Sequence, residues 1–206
     1  MSRSLILLIN NPNAITRAIE ILLNDGVIAL PTDTVYGIAC LAFNSRCIDR
    51  IFSIKDRDSN KALPILIGCP EQLDQIAQPI NKNTEKLVNA FWPGALTIVV
   101  LRKHTLPENL SPYPTVGIRM PNHPWLINLI EKVGPLAVTS ANLSGHPEAH
   151  NAQEVAESLK GKIDLIIDGG QSKFTLPSTV VDCSGPELKI LREGPIKSET
   201  IFNLIK

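Results

Sequence analysis

The chain has 206 residues, of which 44% are apolar and 19% charged, a composition that excludes a disordered chain and favours one globular domain over residues 1–206. Twenty Lys and Arg residues balance twenty Asp and Glu residues, so no overall charge attracts the protein to nucleic acid or to an anionic membrane. Any site for an anionic ligand must therefore be local.

The cysteines and the N-terminal residues predict a cytoplasmic protein. The four cysteines form no C-x-x-C pair, and buried free thiols are typical of a reducing compartment. The N-terminal sequence MSRSLILLINN has a run of only five apolar residues. This run is too short for a signal peptide or for a membrane span.

The first elements in the chain predict a buried strand that runs into a polar loop. Residues 4–9 suit a strand, and residues 14–23 suit a helix with one apolar face. Residues 27–30 are apolar and end at Pro31, which cannot donate to a sheet ladder. Four polar side chains follow directly, namely Thr32, Asp33, Thr34 and Tyr36. Gly37 then permits either a turn or a close backbone approach.

Residues 47–54 show a helical pattern. A basic cluster lies at the C-terminal end of this predicted helix, and it consists of Lys55 and Arg57 with Lys61 close behind. Alternating strands and helices follow. We expect strands at 63–67, 96–101, 116–120, 136–139, 163–167, 178–182 and 188–191, and helices at 71–77, 84–91, 124–133, 153–159 and 198–204. This order predicts an α/β fold, and because several late strands lack an intervening helix, its sheet should be mixed.

Polar side chains follow several of the predicted strands, as expected of a nucleotide or metabolite site at one end of a sheet. Besides the loop at 32–36, these are Ser140 and Asn142, Ser178 and Thr179, and Arg192. Each has a plain structural alternative: turn chemistry for Thr and Asp, capping for Ser-x-Asn, or a surface ion pair for Arg. No P-loop or G-x-G-x-x-G sequence is present.

A metal site built from protein side chains is not predicted. His146 and His150 are four residues apart with Glu148 between them, but Gly145 and Pro147 argue against the helix that such a site would need.

Seven motifs in consistent order resemble the YrdC-type threonylcarbamoyl-AMP synthase family. They are PTDTVYG at 31–37, K-x-R at 55–57, FWPGALT at 91–97, VGIRMPNHP at 116–124, TSANLSG at 139–145, PSTVVD at 177–182 and LREGP at 191–195. The resemblance covers about residues 10–196. It implies an open, twisted, mixed α/β sheet with a deep concave active-site cleft. Larger relatives carry an extra C-terminal domain, and we expect this chain to be too short to contain it.

The resemblance also implies the reaction. A nucleotidyltransferase of this family condenses L-threonine, bicarbonate and ATP to L-threonylcarbamoyl-AMP and pyrophosphate, with Mg²⁺ expected to arrive with ATP. The product would pass to a separate transferase complex that modifies adenosine in ANN-decoding tRNAs.

Residue roles follow from the matching positions. The resemblance assigns threonine binding to Thr32, Arg119, Ser140 and Ser178. It assigns ATP binding to Lys55, Arg57, Ser140, Asn142 and Arg192, with Lys55 and Arg57 nearest the phosphates and catalytic. Tyr36 and Lys61 are secondary candidates. The family often has R-P and then N/K-P-L where this chain has Arg57-Asp58 and Lys61-Ala62-Leu63, so residues 59–61 are the least certain part of the site.

Three other functions remain open at this point. One is an RNA-binding module without catalysis, which the balanced charge and the small number of aromatic residues disfavour; weak RNA binding beside catalysis is also open. Another is a divergent paralogue that has lost this substrate, although such paralogues tend to lack K-x-R or S-x-N, and both are intact here. The last is a carbamoyl-adenylate-forming relative for hydrogenase maturation, which occurs in much larger proteins.

Overall fold

The computed structural model describes residues 4–58, 60–172 and 176–205. The strands in these ranges are β1 (Leu5–Leu8), β2 (Ile28–Leu30), β3 (Gly37–Leu41), β4 (Ile65–Leu66), β5 (Leu96–Leu101), β6 (Thr115–Arg119), β7 (Leu136–Ser140), β8 (Leu165–Asp168), β9 (Thr179–Asp182) and β10 (Lys189–Arg192). The α-helices are α1 (Ala14–Leu23), α2 (Ser45–Lys55), α3 (Leu73–Ile76), α4 (Lys82–Phe91), α5 (Pro124–Val133), α6 (Ala152–Leu159) and α7 (Ser198–Ile205). Within the described ranges, none of these helices has the length and apolar character needed to cross a membrane.

The strands form one large twisted sheet in the order β1-β8-β2-β3-β7-β4-β6-β5-β9-β10. Strand β2 pairs parallel with β8 and antiparallel with β3. Strand β5 likewise pairs parallel with β9 and antiparallel with β6. The predicted α/β class with a mixed sheet is therefore confirmed.

Helices cover both faces of the sheet. Along β2 and the residue before it, Val27 and Ala29 belong to one apolar cluster, whereas Ile28 and Leu30 belong to the other. Because alternate residues of a strand point to opposite faces, the two clusters lie on opposite sides of the sheet. Buried residues of α1 and α5 complete one cluster, and those of α2, α4, α6 and α7 contribute to the other.

Helix α2 places Lys55, the first residue of the basic cluster, in the interior. The side chain of Asn44 caps the helix by accepting a hydrogen bond of 3.1 Å from the amide of Cys47. Asp56 then adopts a left-handed conformation with φ of 50° and ends the helix. Lys55, the last helical residue, is only 1% exposed because it lies on the buried face of α2.

Strand β3 is the main element that the sequence does not predict. It pairs antiparallel with β2 and with β7, so Gly37 lies opposite both Leu30 and Ser140. A Cβ atom at Gly37 would lie 2.7 Å from Cγ1 of Val138, and the close backbone approach is therefore the correct alternative at this position. The strand is almost wholly buried and shows no apolar–polar alternation that would reveal it.

One other prediction needs adjustment. The strand expected at 63–67 is reduced to β4, because only Ile65 and Leu66 make ladder pairs with β6 and β7. The Pro-rich segment after β5 contains one turn of 3₁₀ helix at Glu108–Leu110. Arg102 stabilises this segment by donating hydrogen bonds to the carbonyl oxygens of Leu106 and Pro107, at 2.6 and 3.1 Å.

Candidate active site

A cavity of about 240 Å³ brings together loops that are distant in sequence. Its lining includes polar side chains from the β2–β3 loop, from β5 and β6, from the end of β7 and from the ends of β9 and β10. The predicted site residues on its wall are Thr32, Tyr36, Arg57, Arg119, Ser140, Ser178 and Arg192. The deep cleft implied by the resemblance remains a prediction.

The β2–β3 loop has local hydroxyl hydrogen bonds that shape one end of the cavity. Oγ1 of Thr32 donates to the carbonyl of Val35 at 2.8 Å and accepts from the amide of Thr34 at 3.0 Å. Thr32 therefore makes the hydrogen bonds expected of turn chemistry, and its role in binding threonine stays a prediction. Thr32 nevertheless lies on the wall, and so does Thr34, which the sequence analysis did not select.

Arg119, at the end of β6, is fixed by contacts on three nitrogens. Nη2 forms an ion pair of 2.5 Å with Asp33, and Nη1 donates to Oγ1 of Thr34 at 2.9 Å. Nε donates to the carbonyl of Gly94 at 2.9 Å. Burial lowers the pKa of Arg119, and the Asp33 carboxylate opposes this effect. The guanidinium is thus a buried cation on the cavity wall with a nearby compensating charge.

Ser178, Thr97 and Arg192 form a second polar group on the wall. The hydroxyl groups of Ser178 and Thr97 are 2.8 Å apart. Arg192 donates from Nε to the Ser178 carbonyl at 3.0 Å and from Nη2 to its hydroxyl at 3.3 Å. Burial lowers the pKa of Arg192, while the negative charge of Glu148 raises it and Arg119 lowers it further. Glu148 also lines the cavity, so a carboxylate lies among these cations.

Lys55 holds the loop after β7 rather than lining the cavity. Its Nζ donates to the carbonyl oxygens of Ser140 and Asn142, and to Oδ1 of Asn142 at 3.1 Å. Oδ1 of Asn142 also accepts from the hydroxyl of Ser140 at 2.6 Å, and its amide nitrogen donates to the carbonyl of His146 at 2.5 Å. Lys55 and Asn142 are both buried. Lys55 of the predicted K-x-R motif and both residues of the S-x-N motif therefore meet in one hydrogen-bonded group.

Arg57 lies on the cavity wall, whereas Lys61 is exposed. The guanidinium of Arg57 donates from Nη2 to the carbonyl of Ala62 at 3.0 Å and from Nε to that of Lys61 at 3.3 Å. Burial lowers the pKa of Arg57, and Asp58 opposes this effect. The backbone of Lys61 is therefore part of the support for Arg57, and its side chain is not on the wall. Residues 59–61, the least certain part of the predicted site, include Ser59, which lies outside the described residues.

Tyr36 joins the β2–β3 loop to the turn after β8. Its hydroxyl donates to the carbonyl of Gly170 at 2.7 Å and accepts from the amide of Gly169 at 3.0 Å. The side chain is buried, and burial raises its pKa, with the Gly169 amide opposing. Tyr36 thus links the β2–β3 loop to the turn after β8 and so supports the cavity wall.

We expect Tyr36→Phe to lower the free energy of unfolding by about 1–3 kcal/mol, because its hydroxyl loses two hydrogen bonds to the backbone of Gly169 and Gly170, each worth about 0.5–1.5 kcal/mol. Chemical denaturation would measure the loss. Tyr113→Phe is the matched control, since Tyr113 is 56% exposed and should show almost no change. Equal stability of the two variants would contradict the structural role of the Tyr36 hydroxyl.

Sequence reasoning missed Thr34, Thr97 and Glu148 on the cavity wall. Thr34 lies within the quoted motif PTDTVYG and Thr97 ends the motif FWPGALT, so both had a signal in the sequence. Glu148 was considered only as a metal ligand with the two histidines. Among the described residues, no group of three or more His, Cys, Asp or Glu side chains could hold a metal ion.

Together, the fold and the cavity define an α/β protein with a small-molecule site rich in hydroxyl groups and cations. The sequence model of the Sua5/YciO/YrdC family, described as telomere recombination, matches residues 20–194, and the chain belongs to this family. The predicted resemblance is therefore confirmed.

Three relatives illustrate the similarity. The threonylcarbamoyl-AMP synthase of Bacillus subtilis is 39% identical over 202 residues, which are 95% of this chain and 57% of that protein. The crystal structure of Pyrococcus abyssi Sua5 complexed with L-threonine has a TM-score of 0.93 at 35% identity, covering 99% of this chain and 61% of that one. Escherichia coli YciO has a TM-score of 0.85 at 26% identity, covering 98% of this chain and 100% of that one. The chain thus spans about three fifths of the two longer relatives.

Proposed function

We propose that this protein is a threonylcarbamoyl-AMP synthase, a nucleotidyltransferase that converts L-threonine, bicarbonate and ATP to L-threonylcarbamoyl-AMP and pyrophosphate. The observation that carries the proposal is one cavity with hydroxyl groups around Arg119 and further cations at Arg57 and Arg192. The Bacillus subtilis relative is named for this activity, and Pyrococcus abyssi Sua5 binds L-threonine in its crystal structure.

The hydroxyl groups on the cavity wall suit an amino acid. The buried guanidinium of Arg119 provides fork geometry for a carboxylate. The Ser178 hydroxyl can donate to or accept from the amine and hydroxyl of threonine, whereas the Thr32 hydroxyl, which donates to Val35, can only accept. Ser140 lies on the wall at the end of β7, where we place the boundary between the threonine and nucleotide sites.

The arginines on the cavity wall suit a triphosphate. Arg57 and Arg192 lie on its wall, and Lys55 with Asn142 orders the loop that contains Ser140. In the proposed reaction the amine of threonine first forms a C–N bond to the carbon of bicarbonate, and water leaves to give a carbamate. A carbamate oxygen then forms a bond to the α-phosphorus while the bond to the departing pyrophosphate breaks. This step needs positioning and compensation of negative charge, and no covalent enzyme nucleophile.

Mg²⁺ is proposed to arrive with ATP. A metal held mainly by phosphates and water needs only one or two carboxylates from the protein. Glu148 is the carboxylate that the described residues place on the cavity wall, so it is the residue that could hold the ion, and the site fits this mode of binding. When bound, Mg²⁺ would offset phosphate charge.

We further propose that the product passes to a transferase complex that modifies ANN-decoding tRNAs, because the acyl-adenylate is an activated donor. The free cysteines Cys40, Cys47, Cys69 and Cys183 are consistent with the proposed cytoplasmic location.

Pyrophosphate release tests the proposal directly. Purified protein should release pyrophosphate with ATP, bicarbonate and L-threonine, and omission of either co-substrate should reduce the rate to background. Serine should be used weakly and valine still less, since a site that bonds a hydroxyl group rejects an analogue without it by as much as ~10⁴-fold.

Comparable rates with valine and threonine would rule out the assigned specificity. Release that does not depend on threonine would favour a paralogue with another substrate or a carbamoyl-adenylate enzyme. Salt-resistant binding of duplex RNA without pyrophosphate release would favour the RNA-binding module.

A further inference from the structure

Asp33 has a carboxylate that faces another protein side chain rather than the cavity. Its side chain is 11% exposed and pairs with Arg119, which is 7% exposed, at 2.5 Å. Arg119 lies on the cavity wall, and Asp33 is not among the described residues that line it. A buried ion pair is seldom a net source of stability, since desolvation of both charges offsets their attraction. A role in function is therefore worth testing for Asp33.

The contacts of Arg119 restrict its guanidinium in a specific way. A guanidinium has five N–H donors in a rigid fork. Three of them are bound by Asp33, by Thr34 and by the carbonyl of Gly94, which belong to two distant loops. Nη1 and Nη2 each retain one N–H group without a partner among the described residues. These two groups are the ones that remain to bind a ligand in the cavity.

We propose that Asp33 is a positioning residue that aims the free N–H groups of Arg119 at the carboxylate of the amino acid substrate. The proposal rests on the proposed function and deepens it. Thr34 and Gly94 hold Nη1 and Nε, so Asp33 is the group that fixes the remaining nitrogen, Nη2. A fork held at all three nitrogens cannot rotate when an anionic ligand enters, and less side-chain ordering is needed on binding.

A purely electrostatic role for Asp33 predicts the opposite change. Its negative charge partly offsets the positive charge of Arg119, so removal of the charge alone would strengthen attraction of a carboxylate. Positioning instead predicts weaker binding once the fork is released. The sign of the change in the KM for threonine therefore distinguishes the two roles.

Asp33→Ala and Asp33→Asn test the proposal through threonine-dependent pyrophosphate release. Asp33→Ala should raise the KM for threonine by about 10- to 100-fold, the value of a hydrogen bond to a charged group, while kcat and the KM for ATP stay within about threefold. Asp33→Asn keeps an acceptor oxygen near Nη2. The logarithm of the factor by which its KM for threonine rises should therefore be at most half of that for Asp33→Ala. Thermal denaturation of each variant would be measured in parallel.

Asp164→Ala is the matched control. Asp164 also pairs with an arginine, Arg50, at 2.7 Å, and it accepts from the amide of Val27, but it lies outside the cavity lining. This variant should lose stability without a change in the KM for threonine.

The outcomes separate the inference from the proposed function. Wild-type protein without threonine-dependent release would overturn both. Active wild type with a lowered or unchanged KM in Asp33→Asn and Asp33→Ala would overturn the positioning role alone. Equal effects on kcat and on both KM values would assign Asp33 a general structural role and also overturn it. If Asp33→Ala does not fold, a rise in the KM for threonine in Asp33→Asn supports the proposal, and a fall or no change overturns it.

Discussion

Replacing Arg57 by alanine is expected to lower kcat/KM for ATP by about 10²-fold, the scale of a lost electrostatic stabiliser of a transition state. Arg57 lies on the cavity wall, and burial makes its charge more effective there than in water. Two of its nitrogens donate to the carbonyls of residues 61 and 62, and we propose that its remaining N–H groups bind a phosphate. Steady-state pyrophosphate release at varied ATP concentration measures the effect.

Two variants control this result. Arg57→Lys keeps the charge and loses the fork, so its loss should be intermediate. Arg46→Ala should behave as wild type, because Arg46 is 86% exposed and pairs with Asp25 outside the cavity. Wild-type kinetics in Arg57→Ala would remove Arg57 from the proposed phosphate site.

We expect Lys55→Met to lower turnover by about 10²-fold or more, because the loop after β7 loses the hydrogen bonds that hold it. Methionine fills a similar volume but donates no hydrogen bond, so the carbonyls of Ser140 and Asn142 lose their shared donor. Each unsatisfied buried acceptor costs about 1–3 kcal/mol, enough to open the loop locally. Hydrogen exchange of residues 140–146 should therefore rise together with the loss of activity.

Lys132→Met is the control for this substitution, because Lys132 is exposed in the last turn of α5. Unchanged exchange in the loop of Lys55→Met would contradict the organising role of Lys55. If activity fell without any change in exchange, Lys55 would act on the nucleotide directly.

The lowered pKa of Lys55 also predicts that ATP binding depends on pH. Burial lowers the pKa of Lys55 to about 7, Arg57 acts in the same direction, and Glu148 opposes both. A bound triphosphate favours the charged ammonium, so ATP binding should take up a proton. The affinity for ATP should then fall as pH rises above about 7, and titration calorimetry should find this slope reduced in Lys55→Met. An identical slope in both proteins would assign the pH effect to another group.

The sequence predicted most of the elements, because helices with one apolar face and short apolar strands follow from local patterning. Helix α2 is an example: its apolar stripe and its basic C-terminal end were both predicted from about a dozen residues. The family motifs added the candidate residues of the site. Strand β3 was missed because both of its faces are buried, and its pairing with β2 and β7 is not local.

The sequence alone determined which residue types are available for chemistry: hydroxyl groups and cations after several strands, and too little overall charge for a nucleic-acid surface. Only the tertiary structure decided which of them face a ligand. Lys55 and Arg57 are two residues apart, yet Lys55 is buried against the loop after β7 whereas Arg57 lies on the cavity wall. Asp33 and Thr32 are adjacent, yet only Thr32 lines the cavity, because Asp33 pairs with Arg119 from β6. Partners 86 residues apart are brought together by sheet pairing and core packing, and local pattern contains no information about either.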